Sequence, residues 1–365
     1  MLVSDMVSVP LFCGLMKVND KYYGNRYDMN GLFSINFETE SIELEKIYSG
    51  VDIFASWQFC NPVFANNCLY NIPCCADNIA VYSFEDHKWD IITFEDESLK
   101  EVNAIFDAGY LVNNKIWMLP KDSYCVADLD IYTGKIRYHE GFRHIVEGIY
   151  NDMPPHIVKK TFVVGNKLYM ALWDSSYLIV YDTDNESFSR IRLVNDDCHV
   201  LDVVPLKDTY VFLCSDGRIC GYVNGRIMVV DYINDIDSLG NLLLVDDSVW
   251  VIDRKENIIK IITVSSSGTA KYEVKNIKLE LGLSNGFLWY DGGTKIYNLP
   301  NSHDEQISIV DKNTYFIENR VFRFNKVDQK KYVGFISEEQ ICYEGQLPII
   351  DFLHIFLNTM NGTNI

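Results

Sequence analysis

The chain has 365 residues, 48% of them hydrophobic and 13% aromatic, with 23 Tyr and 20 Phe. This composition excludes disorder and favours strands, because aromatic and β-branched side chains pack well on a pleated surface. Thirty-two Lys and Arg against 51 Asp and Glu leave a formal charge of −19, which repels phosphate backbones and anionic lipid heads and argues against nucleic acid and membrane surfaces as partners.

The N-terminal segment "MLVSDMVSVPLFCGLMK" has no basic stretch ahead of its apolar residues and carries Asp5, so it reads as a strand and not as a secretory signal. Its run "VPLFCGLM" is expected to complete the last unit of the fold. Nothing approaches 18 consecutive apolar residues, so no spanning helix is expected and the expected location is cytoplasmic and reducing. The ten cysteines contain no C-x-x-C pair and mostly sit in apolar runs, as buried reduced thiols do. Cys60, Cys68, Cys74 and Cys75 match no zinc spacing, and the adjacent Cys74 and Cys75 would point to opposite faces of a strand, so no metal and no cofactor are expected.

From Tyr22 onward the chain repeats itself. Four segments align without a gap: "YYGNRYDMNGLFSINFETESI" from Tyr22, "LYNIPCCADNIAVYSFEDHKW" from Leu69, "IWMLPKDSYCVADLDIYTGKI" from Ile116 and "LYMALWDSSYLIVYDTDNESF" from Leu168. Thirteen residues after each start stands a strand former (Ile35, Tyr82, Leu129, Tyr181), and twenty after it the anchor of the next strand (Ile42, Trp89, Ile136, Phe188). Looser copies start at Tyr210, Val249, Phe287 and Tyr315, with Asp-Gly, Asn-Gly and Gly-Gly supplying the positive φ of tight hairpins. An apolar run precedes nearly every copy, for example "AIFDAGYLV", "HIVKKTFVV" and "HVLDVVPL". Each unit is therefore a four-stranded antiparallel meander.

One such meander cannot bury both its faces, so copies must stack around an axis, and closing the ring removes exposed edges. The expected fold is all-β: a single β-propeller over residues 1–345, with a short C-terminal helix or tail over 346–365 from the helical spacing of "LPIIDFLHIFLNTM". Eight second-strand anchors can be named, but the last two first strands, near Leu281 and Ile307, lie too close for a full blade between them. Seven blades are expected, with six or eight as alternatives.

The segments "VYSFEDHKW" and "VYDTDNESF" resemble the strand, turn and closing aromatic of Kelch-type propeller blades. The Gly-Gly doublet of Kelch second strands is missing from the well-formed copies, and the Gly-His and Trp-Asp signature of WD40 blades does not recur in register. The resemblance implies a propeller of Kelch-like or WD40-like kind whose loop face holds a ligand.

In a propeller the loops joining second to third strands and those joining successive blades share one face, where rigid strands hold variable loops. The register places Asn25, Arg26, Tyr27, Asp28, Cys74, Asp77, Lys121, Asp122, Tyr124, Trp173, Asp174 and Tyr177 there. The longest connection, Tyr138 to His156, adds His139, Glu140, Arg143, His144, Glu147 and His156; its histidines, at non-helical spacing, are expected to be structural or solvated. Trp57 in "FASWQFCNP" is expected to fill a space between blades.

The candidate ligand-binding residues are Arg26, Tyr27, Asp122, Tyr124, Arg143, His144, Trp173, Asp174 and Tyr177, because flat rings take the apolar faces of sugars and Arg forks carboxylates. No catalytic triad order, phosphate-cradling loop or metal-ligand spacing occurs. The expected function is a non-catalytic scaffold holding a protein, peptide or glycan on the loop face. The alternative is a carbohydrate-active or sugar-isomerising enzyme, with Arg26, Asp122, Tyr124, Arg143, His144 and Asp174 converging at the axial mouth.

Overall fold

The computed structural model describes residues 12–26, 30–39, 41–48, 57–95, 99, 102–150, 157–194, 198–223, 225–234, 242–265, 271–278, 286–300 and 307–320. They form seven four-stranded antiparallel sheets, each a simple meander in chain order. Blade 1 is β1 (Phe12–Val18), β2 (Lys21–Arg26), β3 (Gly31–Asn36) and β4 (Ser41–Ile47); blade 2 is β5 (Phe59–Ala65), β6 (Cys68–Pro73), β7 (Asn78–Ser83) and β8 (Trp89–Thr93). Blade 3 is β9 (Phe106–Val112), β10 (Lys115–Pro120), β11 (Val126–Asp130) and β12 (Ile136–His139); blade 4 is β13 (Val158–Val164), β14 (Lys167–Leu172), β15 (Tyr177–Asp182) and β16 (Ser187–Arg192). Blade 5 is β17 (Val200–Leu206), β18 (Thr209–Cys214), β19 (Arg218–Val223) and β20 (Arg226–Tyr232); blade 6 is β21 (Leu242–Val245), β22 (Ser248–Asp253), β23 (Ile258–Ser265) and β24 (Lys271–Lys278). Blade 7 is β25 (Gly286–Tyr290), β26 (Lys295–Pro300), β27 (Ile307–Asp311) and β28 (Ile317–Arg320). A single helix, α1 (Phe142–Glu147), interrupts the strands between blades 3 and 4 among the described residues.

The gapless repeat of the sequence is the pairing register itself. Tyr22 faces Ile35, which faces Ile42; Leu69, Tyr82 and Trp89 form the same line across blade 2. Ile116, Leu129 and Ile136 do so in blade 3, and Leu168, Tyr181 and Phe188 in blade 4. The hairpins follow from local chemistry. Asn66–Asn67 and Asn113–Asn114 both hold φ near +50 to +61, which the turn between a first and second strand demands and Asn tolerates. At the end of third strands, Asp130 Oδ1 accepts the N–H groups of Tyr132 and Thr133, and Asp182 and Asp311 make the same turn.

Middle strands are buried on both faces, as in β10 and β14, whereas the outer β16 and β24 are largely exposed. Each gap between neighbouring blades has its own apolar core: Trp117, Leu168, Met170 and Tyr181 fill that between blades 3 and 4. The ring closes through aromatic contacts between blades 7 and 1, where Trp289 lies 4.9 Å from Tyr22 and Tyr297 stacks on Phe37 at 4.2 Å.

Two expectations are corrected. Phe12–Val18 pairs with β2 as the inner strand of blade 1 and does not complete the last blade. Phe287 belongs to a first strand, Ile307 opens a third strand and Tyr315 precedes a fourth, so the last two apparent copies are one blade. The expected C-terminal helix over 346–365 lies outside the described residues.

Candidate functional site: the axial mouth of blades 2 to 4

Inner strands run side by side around the axis, and side chains tie each to the next. Asn61 on β5 donates Nδ2 to Gly109 O at 2.9 Å and accepts Gly109 N–H at 3.0 Å, serving as a backbone mimic. A Cβ on Gly109 would stand 2.5 Å from Ile72 Cγ1, so only glycine fits this approach. Tyr110 OH donates to Thr161 O at 2.8 Å; Lys160 Nζ pairs with Asp202 and donates to Leu242 O at 3.2 Å, while Leu242 N–H reaches Asp202 Oδ2 at 2.9 Å.

The inner strands of blades 1 to 5 carry a break in register at their first residues: between Phe12 and Leu15, Phe59 and Pro62, Phe106 and Ala108, Val158 and Lys160, and Val200 and Asp202. A bulge re-aims one side chain out of the ladder. In blades 3 and 4 the re-aimed residues are Asp107 and Lys159. Both lie at the face where second-to-third-strand loops and inter-blade crossings meet.

That face is held by hydrogen bonds between loops of adjacent blades. Lys121 O accepts the N–H groups of Ile157 and Val158 at 3.2 and 3.0 Å, Trp173 N–H reaches Ile157 O at 3.0 Å, and Asp122 N–H reaches Ala104 O at 3.0 Å. On this frame Lys121 Nζ stands 3.9 Å from Asp107 Oδ1 and 5.5 Å from the Trp57 ring. Thr161 Oγ1 donates to Asp107 Oδ2 at 3.3 Å. Burial pushes the Asp107 carboxyl up to about 6, against the attraction of Lys121. In blade 4, Lys159 Nζ lies 4.6 Å above the Trp173 ring. Burial lowers its pKa while the charges of Asp202 and Asp174 oppose the change, and no ion pair of its ammonium is seen among the described residues. It is a partly buried cation stacked on a ring, with the carboxylates of Asp202 and Asp174 acting on it.

The sequence candidates divide. Asp122, Trp173 and Asp174 belong to this mouth, Asp122 beside Lys121 and Asp174 beside Lys159. Tyr124 lies under Arg143, whose guanidinium is 5.0 Å from the ring and whose Nε reaches Glu147 Oε1 at 2.7 Å. Exposed His144 rides on the same helix. Tyr177 lies under Arg190 and Arg192, at 5.3 and 5.9 Å, towards the outer strand. Arg26 ends β2, and its side chain, like Tyr27, Asp28 and His156, lies outside the described residues. Asn25 is a buried strut that donates to Cys60 O at 2.9 Å and Asn71 Oδ1 at 3.0 Å.

Trp57, expected between blades, is 47% exposed at the mouth. His139 is the opposite case: its Nε2 lies 2.6 Å from buried Asp128 and Tyr181 OH is 2.7 Å from its Nδ1, so it braces blades 3 and 4. The residues missed were Asp107, Lys159, Lys160 and Asp202. Their signal was a charge recurring near the start of otherwise apolar first strands, in "AIFDAGYLV", "HIVKKTFVV" and "HVLDVVPL".

No protein-family model matches this chain, and no curated protein does. Solved propellers resemble it in fold. Sqt1 of Saccharomyces cerevisiae superposes with a TM-score of 0.56 at 10% identity, over 88% of each chain. A streptogramin B lyase gives 0.55 at 11% identity, over 86% of this chain and 96% of that one. PorZ, a surface component of the type-IX secretion system of Porphyromonas gingivalis, gives 0.53 at 14% identity; the match covers 88% of this chain and 39% of PorZ. Identities this low establish the propeller architecture alone.

Proposed function

We propose that the protein is a non-catalytic binding scaffold that holds a segment of a protein, peptide or glycan across the mouth of blades 2 to 4. Lys159 carries the reading: it is a partly buried ammonium above Trp173 with no carboxylate in ion-pair range among the described residues. A desolvated cation without a partner costs free energy that an arriving carboxylate or polarised hydroxyl recovers. Trp57 under Lys121 offers a second ring on the same face, so a flat or apolar group seated on the indoles would bring its anionic or hydroxyl groups to the lysines. Asp122, Trp173 and Asp174 are the nearest candidate specificity residues of this seat, with Tyr124, Arg143, His144 and Tyr177 further out on the loops. A reducing, cytoplasmic compartment suits a chain in which Cys60, Cys74, Cys198, Cys214 and Cys220 are buried free thiols.

The test is a screen of displayed peptides and arrayed glycans against the wild type and a Trp57→Ala/Trp173→Ala variant. Binders recovered with the wild type are expected to lose at least tenfold in affinity with the variant. Full retention would move the site elsewhere.

The sugar-active alternative has one observation in its favour. Asp107, held near 6 beside Lys121, is poised to exchange a proton at neutral pH. Turnover of any glycan bound in the screen, abolished by Asp107→Asn with binding intact, would establish it.

A further inference from the structure

A second cluster lies on blade 5, apart from the mouth residues described above. Cys198 stands in the crossing from β16 to β17, Cys214 ends β18, and Asp216 sits in the hairpin before β19. Their ligand atoms all fall within 4.8 Å of one another. Both cysteines are buried, 5% and 0% exposed, whereas the Asp216 side chain is 46% exposed and opens the group to solvent. Cys220 on β19, fully buried, places its Sγ 3.8 Å from that of Cys214. Two sulfurs bound to one tetrahedral zinc at about 2.3 Å are separated by about 3.8 Å.

We propose that Cys198, Cys214 and Asp216 form a binding site for a thiophilic divalent d10 ion of the zinc type, with the Cys220 sulfur behind Cys214. The donor set supports this choice: two thiolates and one carboxylate disfavour magnesium and calcium, which take oxygen shells. The polar surroundings are a framework and not a replacement for the ion. Arg218 donates Nε to Asp216 Oδ2 at 2.6 Å and its backbone N–H to Oδ1 at 3.2 Å, aiming the carboxylate while leaving it acceptor capacity. A guanidinium so close also offsets the negative charge that thiolates bring.

Ser215 Oγ, 3.5 Å from Cys198 Sγ, takes the His199 N–H at 3.1 Å and anchors the crossing to the hairpin. Without an ion, the Cys214 thiol is held protonated by its hydrogen bond to Cys220 and by burial, and the same bond lowers the Cys220 pKa. Each cysteine that binds must release its proton to solvent, so affinity rises with pH.

The arrangement escapes spacing rules because its donors follow a C-x15-C-x-D-x3-C order set by a hairpin and a crossing, not by a loop motif.

Cobalt(II) serves as the probe, since thiolate ligation gives a near-ultraviolet charge-transfer band and tetrahedral geometry gives visible d–d bands. Titration of the full reduced chain is expected to give these bands at one equivalent and to lose them on adding one equivalent of zinc. Cys214→Ser should abolish the bands, and Asp216→Asn, at an exposed position that leaves the fold intact, should weaken binding at least tenfold. Cys75→Ser, at a surface thiol elsewhere, should change nothing. Absence of charge transfer in the wild type, or bands that survive both Cys214→Ser and Asp216→Asn, would overturn the proposal. The mouth variant Trp57→Ala/Trp173→Ala keeps full cobalt binding if the two sites are separate, so failure of either reading is told apart from failure of the other.

Discussion

Asp128 shows how a single buried carboxylate is kept charged. Burial raises its pKa, but hydrogen bonds from His139, Lys115 and Arg137 outweigh that and hold it at about 2. The His139 contact is 2.6 Å, and the Lys115 and Arg137 contacts are 3.0 Å each. A folded-state value below the unfolded one stabilises the protein above about pH 4, and this contribution, about 2–3 kcal/mol, disappears as pH falls from about 4 to 2. Urea unfolding of Asp128→Asn against wild type should therefore show the full deficit at pH 7, narrowing below pH 4; a deficit independent of pH would disprove the ionic account.

Asp107 has the opposite sign. Its carboxyl is raised to about 6, so the folded state favours the protonated form and stability falls as pH rises from about 4 to 6. With its side chain 21% exposed, Asp107→Asn should raise stability at pH 8 by up to about 2 kcal/mol, less the lost attraction to Lys121, and make no difference below pH 4. A group that destabilises its own fold fits a site kept for binding.

The segment from Tyr138 to His156, read from sequence as a binding loop, is divided by the element it contains. In α1, Phe142 and Val146 are fully buried against blades 3 and 4, with the Phe142 ring 5.9 Å from that of Phe188, while Arg143 and His144 face outward. The helix is a plug as well as a platform. Phe142→Ala should cost about 3–5 kcal/mol in chemical denaturation, whereas Arg143→Ala should stay within about 0.5 kcal/mol, because a surface ion pair contributes little. Equal effects of the two changes would show that the helix does not dock as described. The same division explains why the histidines of this segment behave differently: His139 ends a strand inside the inter-blade core, and His144 lies on the solvated side of the helix.

At the scale of the whole molecule, stability rests on ring closure, since each blade buries its faces only against two neighbours. The closing contacts are aromatic: Tyr22 and Phe37 of blade 1 meet Trp289 and Tyr297 of blade 7. Phe37 is 6% exposed. Phe37→Ala should cost about 3–5 kcal/mol and should raise amide exchange first in blades 1 and 7, away from the axial belt of blades 2 to 6. Exchange spread evenly over all seven blades would mean that closure is not the weakest junction. The charge of −19 acts on the same scale, and screening it with salt should raise the melting temperature.

The sequence by itself determined the blade. Periodicity of two, turn residues at fixed offsets and a gapless repeat are local properties, and in the best copies they are identical with the cross-strand register, as the line Leu168, Tyr181, Phe188 shows. The structure bears out seven blades over the alternatives of six and eight, and it alone shows which side chains meet at the mouth. Two apparent copies reduce to one blade because Phe287 lies in its first strand and Tyr315 in the turn before its fourth. Pairing partners are non-local and are not written in the strand's own residues. The mouth was hidden for the same reason: a bulge turns Asp107 and Lys159 out of strands whose alternation assigns them to a ladder. Pairing of the first strand with the second then sets Asp107 beside Lys121 in blade 3 and Lys159 beside Trp173 in blade 4.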